Sequence, residues 1–166
     1  MKGNQYSGRG SVGVGLIEVL AALLVISIGI LGMVGLQTKS LQHNHVAYLR
    51  SQAVIIGNDM MDRIRVNRSL SSVTEDYVVA VGQFTTAQCS TEAYPDNCET
   101  GSCTSSELAE YDIRQWKFQM ACILPNGDGS ITIEDSGAGR IYVISMRFDE
   151  SRGQHPIREV VVRSAL

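Results

Sequence analysis

One carboxylate, Glu18, stands at the start of a stretch, residues 19–36, that carries no charge. An apolar run of this length can cross the roughly 30 Å hydrocarbon core of a bilayer as a helix. A carboxylate at membrane depth is costly to bury and marks a functional site by default. The alternative is a plain anchor whose glutamate only reaches the interfacial water. Glu18 is therefore the first candidate functional residue.

Four cysteines form the second group of residues with chemistry of their own. Lys2 and Arg9 precede the apolar run, and the positive-inside rule keeps them in the cytoplasm if that run spans a membrane. The cysteines then face an oxidising compartment, where disulfides are expected. Zinc binding is the competing interpretation, but intervals of 8, 4 and 18 residues lack the two close pairs of a zinc ribbon. The disulfide candidates, for which three pairings remain open, are Cys89, Cys98, Cys103 and Cys122.

The remaining polar residues predict neither an enzyme nor a cofactor or metal site. His43 and His45 are two positions apart, so on a helix they point to different faces and cannot hold one ion. His155 stands alone in a turn-rich segment, and the chain has no nucleophile elbow or phosphate loop. With a net charge of -3 and no basic tract, nothing indicates nucleic-acid binding.

Helical spacing continues beyond the apolar run. No proline occurs before Pro95, so nothing forces a break, and Asp59 and Arg63 are spaced for an ion pair four residues apart. These features predict one helix over residues 14–67, membrane-spanning in its first part and amphipathic in its second. The apolar stripe of the second part is Leu41, Leu49, Ala53, Ile56, Met60 and Ile64.

The remainder predicts a small domain with a second helix and a sheet. Residues 68–104 are mostly loop, with a short strand at 77–81, and Thr104 with Glu107 forms a capping box. The second helix ends before Pro125, and residues 126–130 predict a tight turn rather than a calcium loop. Its buried face is predicted as Ala109, Ile113, Trp116, Met120 and Ile123. Strands at 131–133, 141–148 and 157–162, joined by turn-rich segments, predict an antiparallel meander.

Two motifs resemble known families. Gly13-Val14-Gly15-Leu16-Ile17-Glu18-Val19-Leu20 resembles the class III signal of type IV pilins and type II secretion pseudopilins. The resemblance implies that a prepilin peptidase cleaves between Gly13 and Val14 and N-methylates Val14. It also makes Glu18 the glutamate that acts in subunit assembly, and we expect it to pair with the Val14 amine of a neighbouring subunit because both charges are then neutralised.

The second motif, D-M-x-D-R-x-R-x-N over residues 59–67, resembles the PilV type of minor pilin, the type IV pilus modification protein. The spacing from Asp112 and Trp116 to Leu124-Pro125-x-Gly127 resembles the same type. The resemblance implies a pilin-like α+β fold, in which one long N-terminal helix packs on a small antiparallel β-sheet domain with a second helix.

The same resemblance implies how the chain is divided and what it does. We expect a cleaved cytoplasmic leader at 1–13, a transmembrane or filament-core segment at 14–36, an amphipathic segment at 37–67 and a globular head at 68–166. The chain would be a bacterial inner-membrane protein with a cytoplasmic N-terminus, then a pilus subunit in assembly or priming, supporting twitching motility or adhesion.

The implied partners are other minor pilins, the major pilin, the prepilin peptidase, the inner-membrane assembly machinery and, before assembly, lipid. The alternatives are a minor pseudopilin of type II secretion, a tip adhesin or DNA-uptake subunit, and a membrane-anchored periplasmic enzyme.

Overall fold

The structure is a computed structural model that describes residues 15–84, 89, 98–137, 139–151, 153 and 156–166. The chain divides into two compact units at the bond between His43 and Asn44. The elements, in chain order, are the helices α1 (Leu16–Val66), α2 (Arg68–Ser71) and α3 (Ser105–Ile123), followed by the strands β1 (Asp128–Ser136), β2 (Gly139–Phe148) and β3 (Arg158–Ala165). The predicted α+β fold is confirmed.

The first unit contains the apolar part of α1. Every described residue up to His43 is exposed in the isolated chain. Within the described part of the chain, α1 is long and apolar enough to cross a membrane, with a mean hydropathy of 2.7 over its most apolar 18 residues. Leu41, which the sequence placed on the buried stripe, is 69% exposed, because it precedes the unit that contains the core.

In the second unit, α1 buries one side against the sheet. The stripe predicted from Leu49 onward is confirmed, and two further residues, Gly57 and Met61, are buried beside it. A Cβ atom at Gly57 would lie 2.7 Å from the Met146 side chain of β2 and 3.1 Å from that of Val162 in β3. The helix therefore approaches the sheet closely at Gly57. The buried residues of α1 are Leu49, Ala53, Ile56, Gly57, Met60, Met61 and Ile64.

The segment after α1 is less regular than the sequence predicted. The short helix α2 was not predicted, and the Tyr142 hydroxyl of β2 donates to the Ser71 carbonyl at its end, at 2.8 Å. The strand predicted at 77–81 is reduced to an isolated antiparallel bridge between Val79 and Ile131. A turn explains the difference, because the Val78 N–H donates to the Glu75 carbonyl at 2.7 Å instead of to a neighbouring strand.

Helix α3 begins as its sequence predicts. Thr104 is the N-cap, and the capping box with Glu107 is present. Hydrogen bonds from the Thr104 backbone N–H and its hydroxyl lower the pKa of the Glu107 carboxyl. The predicted buried face is confirmed except for Ile123, which is 40% exposed. The helix ends there, and Leu124 in extended conformation fills the core instead.

The three strands form one antiparallel sheet in the order β1-β2-β3, as predicted. Each strand includes residues beyond the predicted bounds, and β1 begins at Asp128, inside the segment predicted as a tight turn. The actual turn is shorter, since the Gly127 N–H donates to the Leu124 carbonyl at 2.9 Å and Asn126 takes a positive φ of 52°. The inner face of the sheet contributes Ile131, Tyr142, Ile144, Met146 and Phe148 to the core.

Gly129 lies where α3 crosses β1, so a substitution there tests how closely the helix packs on the strand. A Cβ atom there would lie 2.5 Å from the Ser145 carbonyl oxygen and 2.7 Å from the Trp116 ring. We predict that Gly129→Ala lowers the free energy of unfolding by about 2 kcal/mol, the range of overpacking. Gly137→Ala, which meets no atom within 4 Å, is the control and stays within about 0.5 kcal/mol. Chemical denaturation of the detergent-solubilised protein measures both; equal effects would contradict this packing.

Candidate assembly site

Glu18 occupies the first turn of α1 and is exposed. Its backbone N–H donates to the Gly15 carbonyl at 2.9 Å, so the helix is already formed at this carboxylate. The first turn carries the positive end of the helix dipole, which favours an acidic side chain there. Gly13 and Val14, the predicted cleavage and methylation sites, lie outside the described residues.

The helix surface beyond Glu18 is apolar on all sides. Fourteen large hydrophobic side chains between Leu16 and Leu36 are exposed, from 49% at Val19 to 80% at Ile17. Gly29, Gly32 and Gly35 meet no atom within 4 Å at a Cβ position, so a second helix could approach there closely. A contiguous apolar surface this large requires lipid or other subunits around it.

The end of α1 is joined to α3 by partly buried ionic hydrogen bonds around Arg63. Its guanidinium donates to Asp59 at 2.8 Å, as the four-residue spacing predicted, and also to Asp112 at 3.0 Å and to Gln115. Asp112 and Gln115 belong to α3, 49 and 52 residues away, and Asp112 is buried. The bridge to α3 was not predictable from spacing along one helix.

Tyr77 extends this network. Its hydroxyl donates to the second carboxylate oxygen of Asp112 at 2.9 Å, and the Asn67 amide donates to Tyr77 at 3.2 Å and to the Ser105 carbonyl at 2.7 Å. Burial raises the pKa of Tyr77, so the phenol keeps the proton that it donates. We call Asp59, Arg63, Asn67, Tyr77 and Asp112 the Arg63 network. It connects three positions of the D-M-x-D-R-x-R-x-N motif, Asp59, Arg63 and Asn67, to the rest of the head.

A buried lysine connects α3 to β1. The Lys117 ammonium donates to Asp128 and to the carbonyls of Gly129 and Ala80, so each of its three protons has an acceptor. Burial lowers the pKa of Lys117. Asp128 also accepts the Gly82 N–H at 2.8 Å. No local pattern predicted this pair, because the two residues belong to different elements.

Glu150, in the connection between β2 and β3, accepts hydrogen bonds from two arginines. Arg50 of α1 donates to both carboxylate oxygens at 2.9 Å, and Arg158 of β3 donates at 3.0 Å. The hydrogen bonds from Arg50 lower the pKa of Glu150. The carboxylate thus holds α1 and the start of β3 together while it is ionised.

The four cysteines form two disulfides, Cys89–Cys122 and Cys98–Cys103. This is one of the three pairings that the sequence left open. The first joins positions 33 apart and attaches the segment before α3 to the end of that helix, while the second closes a loop between positions five apart. His43 and His45 are exposed on α1, and the described residues contain no group of metal-ligating side chains.

Arg63→Met tests the Arg63 network. Removing the guanidinium leaves Asp112 buried without its ionic partner, so we predict a loss of about 3 kcal/mol in the free energy of unfolding. Arg65→Met is the matched control, two residues further on the same helix. Arg65 pairs with Asp62 and donates to the Ser164 hydroxyl of β3, both on the exposed surface, so its loss costs under about 1 kcal/mol. Urea titration compares the two, and equal losses would contradict the assigned role.

Glu150→Gln tests the acid dependence of the Arg50 contact. The pKa of Glu150 is lower in the folded state than its usual 4.5, so ionisation stabilises the fold. We predict that the free energy of unfolding at pH 7 is larger for the wild type than for Glu150→Gln. The difference should shrink as the pH falls below 4.5 and through the folded-state pKa, since the protonated acid resembles glutamine. Denaturation from pH 7 to pH 3 measures this, and a difference independent of pH would contradict it.

Comparison with protein families supplies an independent observation. The family described as Tt1218-like, Type IV pilin Tt1218, matches residues 35–114, just under half of the chain. The matched region runs from the apolar part of α1 into α3 and includes every member of the Arg63 network. No curated protein and no solved structure matches the chain. Together with the long apolar helix and the small antiparallel sheet, the family match supports a type IV pilin.

Proposed function

We propose that this chain is a minor pilin of the PilV type, a structural subunit that takes part in assembly or priming of a type IV pilus. Through the pilus it supports twitching motility or adhesion. The observation that carries the proposal is α1 itself. Residues 19–36 are uncharged, exposed and apolar with the Glu18 carboxylate just before them, and the second half of α1 forms part of the core of a small head.

The PilV subtype is supported by the way its motif is used in the fold. The residues that carry the resemblance, among them Asp59, Arg63, Asn67 and Asp112, are bonded to one another or through Tyr77. Trp116, in the second part of the resemblance, is buried in the core one turn after Asp112. The residues of this pattern thus have a structural role in this chain, because they fix α3 on the end of α1.

Processing follows from the N-terminal resemblance. Residues 1–13 are a cytoplasmic leader that the prepilin peptidase removes, and Val14 becomes the methylated first residue. Residues 14–36 then form the membrane or filament-core segment, 37–67 the amphipathic segment and 68–166 the head. The two disulfides are in keeping with a head exported to an oxidising compartment.

Glu18 has a physical role in this scheme. Cleavage leaves a positive amine at Val14, close to membrane depth, where an unpaired charge is costly. When subunits pack with a stagger, the Glu18 carboxylate of one neutralises the Val14 amine of the next. The exposed position of Glu18 on the first turn of α1 leaves it accessible to a neighbouring subunit.

Localisation and partners follow from the same features. Lys2 and Arg9 hold the N-terminus in the cytoplasm, so the chain is anchored in the inner membrane before it enters the filament. Its partners are lipid, the prepilin peptidase, the assembly machinery, other minor pilins and the major pilin. As a structural subunit it has no catalytic role.

Glu18→Leu tests the assembly role. We predict that the variant enters sheared pili at about one tenth of the wild-type level or less, because the neighbouring amine is left without a counter-charge. Its amount in the membrane should stay unchanged. Ser27→Leu is the control, a polar-to-leucine change nine residues along the same exposed helix. Normal incorporation of Glu18→Leu would exclude the pairing.

Mass spectrometry of sheared pili tests the function as a whole. We expect the protein in the pilus fraction with methylated Val14 as its first residue, and a full-length chain in a strain without prepilin peptidase. An unchanged chain size in that strain would exclude every pilin assignment. Lost protein secretion with retained twitching in a deletion strain would favour the pseudopilin. Lost adhesion or DNA uptake with normal pili would favour a binding subunit.

A further inference from the structure

The two edges of the sheet differ in how they are closed. At the β1 edge, Val79 exchanges two hydrogen bonds with Ile131, at 3.1 and 2.9 Å. The next groups outward are also used, since the Val78 N–H donates to Glu75 and the Ala80 N–H to Gln83. At the other edge, β3 has no strand beside it within the described part of the chain. An open strand edge is a template for pairing with another chain.

The register of β3 shows which of its backbone groups face outward. The Leu166 N–H donates to the Arg140 carbonyl of β2 at 3.2 Å, and the pairing of β2 with β3 runs without a break. Backbone groups of successive residues in an antiparallel ladder point alternately to the two sides. The N–H and C=O groups of Glu159, Val161 and Arg163 therefore point away from β2, to the open edge.

The side chains of these same residues are arranged symmetrically about Val161. Glu159 lies two residues before it and Arg163 two residues after it, all three on the exposed face of the sheet. Val161 is 46% exposed. In an antiparallel pair of two such strands centred on Val161, each Glu159 faces the Arg163 of the other strand. Opposite charges directly across a strand pair are favourable.

We propose that the β3 edge binds the β3 edge of a second copy of this chain, in an antiparallel pair with its two-fold axis at Val161. The two Val161 residues exchange both backbone hydrogen bonds, and each Glu159–Arg163 pair exchanges two more. Just outside the strand, Ile157 faces Ala165 of the second copy. The contact is isologous, so the Glu159–Arg163 pair occurs twice.

The self-complementary charge order selects a second copy over another strand. A strand without a base opposite Glu159 and an acid opposite Arg163 forms neither ion pair, and like charges directly opposite are unfavourable. The β1 edge of another copy is bridged by Val79 at Ile131. Within the described part of the chain, β3 has no residue paired to its outer side.

The two-fold symmetry of the pair also determines the orientation of the second copy. The two-fold axis is normal to the sheet, and α1 packs on the sheet through Gly57, so this part of α1 runs in opposite directions in the two copies. Subunits of one filament point the same way. This step rests on the proposed function. The second copy then belongs to a filament of opposite direction, such as one from a facing cell. The β3 edge is then a contact between pili.

A charge swap tests the pairing in the full-length protein in detergent. Glu159→Arg alone and Arg163→Glu alone each place two like-charge pairs across the axis, so we expect self-association on the order of tenfold weaker for each. Mixing the two variants restores two Glu–Arg pairs, and association should return to the wild-type level. Analytical ultracentrifugation measures this. Failure of the mixture to associate, with both variants folded, would overturn the proposed pairing.

Cross-linking at the axis supplies a second readout, because no described cysteine is free. Val161→Cys should give a disulfide-linked dimer in detergent, whereas Thr132→Cys, exposed on β1, should give several-fold less. Purified pili carrying Val161→Cys should give the same dimer between filaments. Pili that contain the protein without this dimer overturn the inference and leave the pilin function intact. A dimer in detergent from a protein absent from pili supports the edge pairing and excludes the filament role.

Discussion

Helix α1 must satisfy two environments with one continuous backbone, and the rest of the structure depends on that constraint. Residues up to His43 expose apolar side chains in all directions, whereas from Leu49 to Ile64 one stripe is buried and the rest is mostly polar, with Val54 and Ile55 exposed. The head therefore packs on a narrow stripe of α1. In the described part of the chain, no second helix packs along the full length of that stripe. Because a stripe of apolar contacts is not directional, the head needs polar contacts to fix its orientation on α1.

Those contacts stand at both ends of the buried stripe. Glu150 binds Arg50 at the start of it, and Arg63 binds Asp112 at its end. The Arg50–Glu150 pair is exposed and contributes little, whereas leaving buried Asp112 without Arg63 is costly, which penalises any other arrangement. The buried ammonium of Lys117 penalises loss of its contact with Asp128 between α3 and β1 in the same way. The two buried charges thus favour one packing over others that the apolar core alone would permit.

The sequence predicted the parts of this fold that are local or periodic. The 51-residue helix, the capping box at Thr104, the buried face from Ala109 to Met120 and the order of three strands follow from spacing and turn chemistry. Contacts between distant elements were not predictable, and neither was the disulfide pairing, because no local pattern records which elements meet. The errors have local causes: Leu41 precedes the core, Leu124 replaces Ile123 inside, and backbone turns around Val78 shorten the predicted strand at 77–81 to one bridge.

The edge strand shows how assembly and specificity can be separated in one small head. Apolar helix surfaces associate without strong selectivity, so the apolar half of α1 can pack against many similar subunits. A sheet edge pairs by backbone hydrogen bonds that any strand can offer, and it is selective only through its side chains. With an acid and a base at equal distances from Val161, the proposed pairing favours a second copy of β3 in one register and disfavours strands of uniform charge. Because that register reverses the helix direction between copies, the edge cannot compete with packing inside a filament, where neighbours are parallel. The apolar half of α1 would thus hold the subunit within its own filament and leave the β3 edge free for another.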